Sequence, residues 1–171
     1  MSNEASVLGS LRSTDGHGLV RVEDRFDAGI NDLWGAITDP RRLAHWYGEA
    51  DSEFRLGGEF RVRIALAGEC AGRVDAFEPP HRLVLTMRDL DPQPGQPEET
   101  VIEVRLAAEG ERTRLVWEER GIPVNLLPAY GTGIQIHVEH LADYMNGREL
   151  RSVEARWKEL FPAYESRGIA Q

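Results

Sequence analysis

The chain predicts an α+β fold: a curved antiparallel sheet of about seven strands wrapped around one long helix near the C-terminus. Three observations predict it. From Phe60 to Trp117 one alternating apolar segment follows another, separated by short turns. Two short helical patterns interrupt that succession once, directly after the first strand. A single long helical stripe, from about Ala129 to Met145, is large enough to cover an apolar sheet face.

Residues Met1 to Gly18 carry Ser, Gly, Asp and Thr without periodicity and read as a mobile tail. From Leu19 to Phe26 the residues Val20, Val22 and Phe26 alternate with Arg21, Glu23 and Arg25, the pattern of a half-buried strand. Asp24 falls on its apolar side. Asn31 or Asp32 can cap a short helix carrying Leu33, Trp34 and Ile37. Thr38-Asp39-Pro40 ends it and opens a second helix, where proline's missing N–H costs nothing. That helix carries Leu43, Trp46 and Tyr47 and stops at Gly48.

Asp51 to Arg55 reads as a short strand, and Gly57-Gly58 as a tight turn needing positive φ. Phe60, Val62, Ile64 and Leu66 alternate in the next strand. Cys70 to Glu78 follows, ended by Pro79-Pro80. Leu83, Leu85 and Met87 alternate; the polar, Pro-rich segment Asp89 to Glu99 is a long connection. Ile102, Val104 and Leu106, then Leu115 and Trp117, complete an antiparallel meander. Gly121 to Pro128 reads as an exposed apolar loop, either a rim or a plug. The long helix closes at Asn146-Gly147. A final helix spans roughly Leu150 to Phe161 and ends at Pro162. The organisation expected is a tail over 1–18, one domain over 19–147 and a helical extension over 148–171.

Composition narrows the function classes. At 171 residues, one domain with a real core is expected. A net charge of −9 argues against a nucleic-acid surface or an anionic membrane. Cys70 is the only cysteine, so no internal disulfide can form, which suits a reducing cytoplasm. The first residues lack the basic and apolar regions of a signal peptide. No apolar run reaches transmembrane length.

The order of motifs resembles the START-like helix-grip (SRPBCC) superfamily, and within it the branch of the heat-shock-protein-90 ATPase activator homologues. The resemblance covers about Val20 to Gly147. It rests on Trp34, then Thr38-Asp39-Pro40, the pair Trp46-Tyr47, and Gly57-Gly58 before Phe60. Gly72 and Val74, Glu78-Pro79-Pro80 with Arg82-Leu83, Thr113 and Leu115, and a glycine-started helix at Gly131 or Gly133 complete it. Two features depart: Ile134 stands where the branch commonly has Trp after the glycine, and the helix around Trp157 extends past the usual end. Packing on its own domain is the favoured role for that extension; an edge cover, a lid or a homodimer contact are the others.

The resemblance implies a cavity between sheet and helix. At about 100° per residue, the long helix sets Tyr130, Ile134, His137, Leu141, Tyr144 and Met145 on one face, with Gln135, Glu139 and Asp143 opposite. His137 interrupts the apolar stripe. It reads either as a core histidine satisfied internally or as a group that bonds a ligand or moves a proton. Trp34, Trp46, Phe60, Met87 and Trp117 are core or cavity lining. Asp24 is a candidate partner for His137, or a solvated strand-end acid. His137, His140 and Asp143 lack the HExxH spacing, and the residues indicate neither metal nor cofactor. Cys70 has no neighbours built to activate it.

The leading expectation is a cytoplasmic protein that binds a small, largely apolar molecule. The competitors are a cyclase- or hydrolase-like enzyme with His137 as acid/base, and a co-chaperone domain stimulating an ATPase. The last ranks lowest, because no separate N-terminal ATPase-activating domain is evident in the sequence. A stress-response role follows from the resemblance alone.

Overall fold

The computed structural model describes residues 7–171. The start of the expected tail, residues 1–6, lies outside the described residues. The elements run β1 (Ser10–Thr14), β2 (His17–Phe26), α1 (Ile30–Thr38), α2 (Pro40–Leu43) and β3 (Gly48–Ala50). They continue with β4 (Glu59–Ile64), β5 (Gly68–Glu78), β6 (Arg82–Asp89), β7 (Thr100–Glu109) and β8 (Arg112–Pro123). A 3-10 turn at Val124–Leu126 leads into α3 (Leu127–Met145), then α4 (Val153–Ser166) and β9 (Ile169–Ala170). One sheet holds all the described strands in the order β3-β4-β5-β6-β7-β8-β2-β1-β9. Neighbours pair antiparallel apart from β1 and β9, which run parallel. The sheet does not close, since β3 and β9 remain its edges. It curves around α3: a helix-grip fold.

The core follows the predicted alternation. Val20, Val22 and Phe26 from β2, Val62 and Ile64 from β4, Leu83 and Leu85 from β6, and Leu115 and Trp117 from β8 are all buried. Ile134, Ile136, Val138 and Leu141 meet them from α3. Asp39, rather than a residue before it, caps α2 by accepting the Arg41 N–H at 3.0 Å, with Pro40 in the first turn. Trp46 locks the two short helices together through its indole N–H, 2.9 Å from the Ala36 carbonyl.

Five expectations need correction. The tail reading fails over residues 10–18, because Ser10–Thr14 pairs with β2 across the Asp15-Gly16 turn and buries Leu11. Its sequence shows no alternation because only one of its residues packs inward. The sheet therefore has nine strands, not seven. The expected strand at 51–55 is absent: the Asp51 carboxylate accepts the Arg61 N–H at 2.8 Å, and the chain folds into a turn at Arg55–Gly58. The strand of this region lies earlier, at β3.

The apolar stretch after Gly121 is not an exposed loop. It finishes β8 and starts α3, with Ile122 and Leu127 fully buried. Leu127 packs so closely on Gly18 that a Cβ there would sit 2.6 Å from its Cδ2. Finally, α4 runs through Pro162 to Ser166. Proline removes one helical hydrogen bond, but Leu160 and Tyr164 on either side are buried against the body of the fold, and that packing holds the last turn.

The extension thus packs on its own domain. The face of α3 opposite the sheet is not solvated, as Gln135, Glu139, His140 and Asp143 are buried beneath it. Arg156 bonds both Glu139 oxygens at 2.8 and 2.9 Å, and Arg151 bonds Asp143 from 2.9 Å. The Tyr164 hydroxyl accepts the Gly9 N–H at 2.8 Å and donates to Gln135.

Candidate functional site

Between the sheet and the first half of α3 lies a cavity of about 350 Å³. That size falls among ordinary small-molecule sites. The strands supply one wall: Ile64, Cys70, Met87, Ile102, Trp117 and Glu119. α3 supplies the other with Tyr130, Ile134 and His137. Tyr47, just after α2, closes the inner end, while Arg88, Asp89, Gln96 and Pro97 form the rim.

Each group gets there by local structure. Leu115, Trp117 and Glu119 alternate on the inward side of β8, and α3 carries Tyr130, Ile134 and His137 one turn apart. Gly133 beside Ile134 leaves open space where a side chain would stand. The rings of Tyr47 and His137 meet at 4.6 Å between centroids, and Trp117 lies parallel to His137 at 6.1 Å.

Three side-chain polar atoms are buried without a hydrogen-bond partner among the described residues: Trp117 Nε1 and His137 Nδ1, of residues in this wall, and Gln135 Nε2 on the opposite side of α3. Such orphans are costly to a fold. Burial, helped by the nearby His140, pushes the His137 pKa down to about 3, so its imidazole is neutral at any ordinary pH. Burial disfavours the charged form of the other groups too, which for acids moves the pKa upward. It raises Glu119 to about 7, against the opposing hydrogen bond from Thr100 Oγ1 at 2.7 Å. It raises Tyr130 to about 12 and the Cys70 thiol to about 11, so Cys70 is not an activated nucleophile.

Of the residues singled out from sequence, Met87, Trp117, Tyr130, Ile134 and His137 line this cavity. The others do not. Trp34 packs on Phe77 at 5.6 Å, Trp46 is tied to Ala36, and Phe60 packs on Phe54 at 4.8 Å. Leu141 is core. Tyr144 clasps α2, accepting from Arg42 Nε at 3.0 Å and stacking on His45. Asp24 is exposed, its carboxylate taking the Arg25 N–H at 2.8 Å, and it is not brought to His137. His137 and His140 do not share a metal position: His140 Nε2 lies 2.9 Å from the Arg151 carbonyl, on the α4 side.

The group that sequence reasoning missed is Glu119. The signal was present, because the two-residue step from Leu115 to Trp117 lands on Glu119 next. Tyr47 was noticed as an aromatic but not as a cavity wall.

A helix-grip fold with a cavity between sheet and long helix defines the class: an SRPBCC-type domain. More narrowly, residues 27–146 match the model of the activator of Hsp90 ATPase homolog 1-like proteins, and the chain belongs to that family. Solved structures agree. CalU16 from Micromonospora echinospora is similar at 25% identity over 92% of this chain and 96% of its own, with a TM-score of 0.69. DynU16, a protein of the dynemicin biosynthetic locus, is similar at 28% identity and a TM-score of 0.71; the match spans 82% of this chain and 51% of DynU16. PFC0360w, an Hsp90 activator from Plasmodium falciparum, shares the fold at 18% identity and a TM-score of 0.52. No curated protein matches the sequence. Among the described residues no helix is long and apolar enough to cross a membrane.

Proposed function

We propose that this protein binds a small, largely apolar, ring-bearing molecule between its sheet and α3. One observation carries the reading: Trp117 Nε1 and His137 Nδ1, both buried and unpartnered, belong to the wall of the same cavity. A ligand that parts the packed Tyr47, Trp117 and His137 rings and presents an acceptor to the indole and a partner to the imidazole would relieve both. Tyr47, Trp117 and Tyr130 offer ring faces to a flat molecule. The similarity to DynU16, which comes from a biosynthetic locus, fits a carrier or sequestering role for a natural product.

The test is native mass spectrometry of gently purified protein, combined with titration of the neutral dye Nile red. Saturable one-to-one binding is expected, lost in Ile134→Trp, which fills the space. Absence of both a retained mass and saturable dye binding would sink the reading.

A catalytic reading is second. His137 is too weak a base to serve it, so Glu119, poised near neutrality, would be the acid/base. Turnover lost in Glu119→Gln but kept in His137→Gln would favour it. Stimulation of a chaperone ATPase ranks behind both, since its support is the family description and a fold-level likeness. A pull-down at micromolar chaperone showing no association removes it.

A further inference from the structure

We infer that the molecule this cavity takes carries a protonated amine, and that the ammonium seats against Glu119. The inference rests on the cavity reading above and names its ligand class.

Glu119 is 7% exposed, and one hydrogen bond, from Thr100 Oγ1, is its recorded partner. No lysine, arginine or histidine pairs with it among the described residues. The other buried acids of this molecule are treated differently. Glu103 meets Arg82, Arg105 and Arg120; Glu139 meets Arg156; Asp143 meets Arg151. The sequence has arginine to spare, yet none is aimed at Glu119. A carboxylate kept in an apolar chamber without a countercharge is a place for a cation from outside.

The surroundings suit an ammonium. Tyr47, Trp117 and Tyr130 line the same chamber, and aromatic faces attract cations. His137 is neutral and so does not repel one. The Trp117 indole is left to donate to an oxygen elsewhere on the ligand. Arg88 and Asp89 at the rim offset one another, and the net charge of −9 favours the approach of cations.

The titratable and charged groups that line the chamber with Glu119 are Tyr47, Cys70 from β5, Arg88 and Asp89 from β6, and Tyr130 and His137 from α3; Arg88 stays charged throughout and forms no ion pair with Glu119. The phenols and the thiol stay protonated and the imidazole stays neutral through the neutral range. Glu119 therefore supplies a proton-linked step there. Amine binding favours its ionised form, so affinity for the amine rises with pH from about 5.5 to 8.

The test compares three probes of one shape: pyrenemethylamine, pyrenemethanol and pyrenecarboxylate, read by energy transfer from tryptophan. The wild-type chain should bind the amine about tenfold more tightly than the alcohol, one charge contact's worth, and the carboxylate most weakly. Glu119→Gln should erase the amine preference and its pH dependence. Glu111→Gln, in the exposed β7–β8 turn, should keep both. Saturable binding of the alcohol with no amine preference overturns this inference and leaves the cavity reading standing. So does an amine preference retained in Glu119→Gln, which would place the cation elsewhere. Failure of all three probes overturns both readings. Should Glu119→Gln not fold, the wild-type amine-to-alcohol ratio and its pH profile still decide.

Discussion

Glu103 and Glu119 stand on neighbouring strands, are both nearly out of water, and are treated in opposite ways. Glu103, on the outer face of β7, is 4% exposed and gathers three arginines at 2.8 to 3.0 Å. Burial works against its ionised form, yet the arginines prevail and hold its pKa at about 2. Glu119, on the inner face of β8, has one hydroxyl, and burial carries it to about 7. The two sides of α3 repeat the contrast. Toward α4, Glu139, His140 and Asp143 each find a partner and Gln135 finds one for its oxygen, though not for its Nε2; toward the cavity, His137 Nδ1 finds none. The buried acids outside the cavity come with arginines supplied by the chain, whereas Glu119 in the cavity has a hydroxyl and no countercharge.

The largest test of this contrast is Glu119→Gln. A folded pKa above the unfolded 4.5 means that the native state binds more protons between the two values. The contribution of Glu119 to stability should fall as pH rises from about 4.5 through 7, while that of His137, held below its usual value, rises over the lower part of that window, so the comparison is read as the difference between the variant and the wild type. At pH 8 the glutamine variant should be more stable by about 2–3 kcal/mol, a gain that vanishes near pH 4.5, measured by urea unfolding. An equal or lower stability at pH 8 would break the comparison. Tyr164→Phe attacks the satisfied side of α3. It removes the bonds to Gly9 and Gln135 and should cost about 1–2 kcal/mol in thermal unfolding.

Glu103→Gln should destabilise by about 1 kcal/mol at neutral pH, because its arginines are half-exposed and screened. Its sign is opposite to that of Glu119→Gln. The loss should disappear as pH falls from 4.5 toward 2, where the wild-type carboxylate also takes a proton. The smallest effect is His137→Leu. Removing an orphaned nitrogen should leave stability unchanged or raise it by up to about 1 kcal/mol, while probe affinity drops in a fluorescence titration. A loss of several kcal/mol would make His137 an ordinary core residue.

Sequence displayed the fold well where residues speak in pairs. Alternation in β4, β6, β7 and β8, and the Thr38-Asp39-Pro40 break, correspond to elements seen in the structure. β1 was illegible because its partners, β2 and β9, create it, not its own side chains. In α4 the local signal of Pro162 points to a helix end, but Tyr164 supplies a tertiary anchor that carries the helix past it. For the cavity, the helical stripe included Tyr130, Ile134 and His137 but carried on to Leu141 and Tyr144. Periodicity reports which face a residue occupies. How far the open space runs along that face depends on distant side chains such as Trp46, which fill the other end. Glu119 was legible in principle. An acid is easily taken for a solvated residue, and the alternation was not followed one step further.

The Tyr164 hydroxyl bridges Gly9 and Gln135 across 155 and 29 positions, and β1 lies between β2 and the last strand. Contacts of such separation are slow to form, because the loop entropy must be lost before the contact returns anything. During synthesis β1 can pair with β2 early, yet its other edge stays bare until β9 has left the ribosome. Completion of the native state is thus a late event, and a chain stalled before Tyr164 would present an open strand edge and an uncovered α3, the surfaces that chaperones and aggregates both seek.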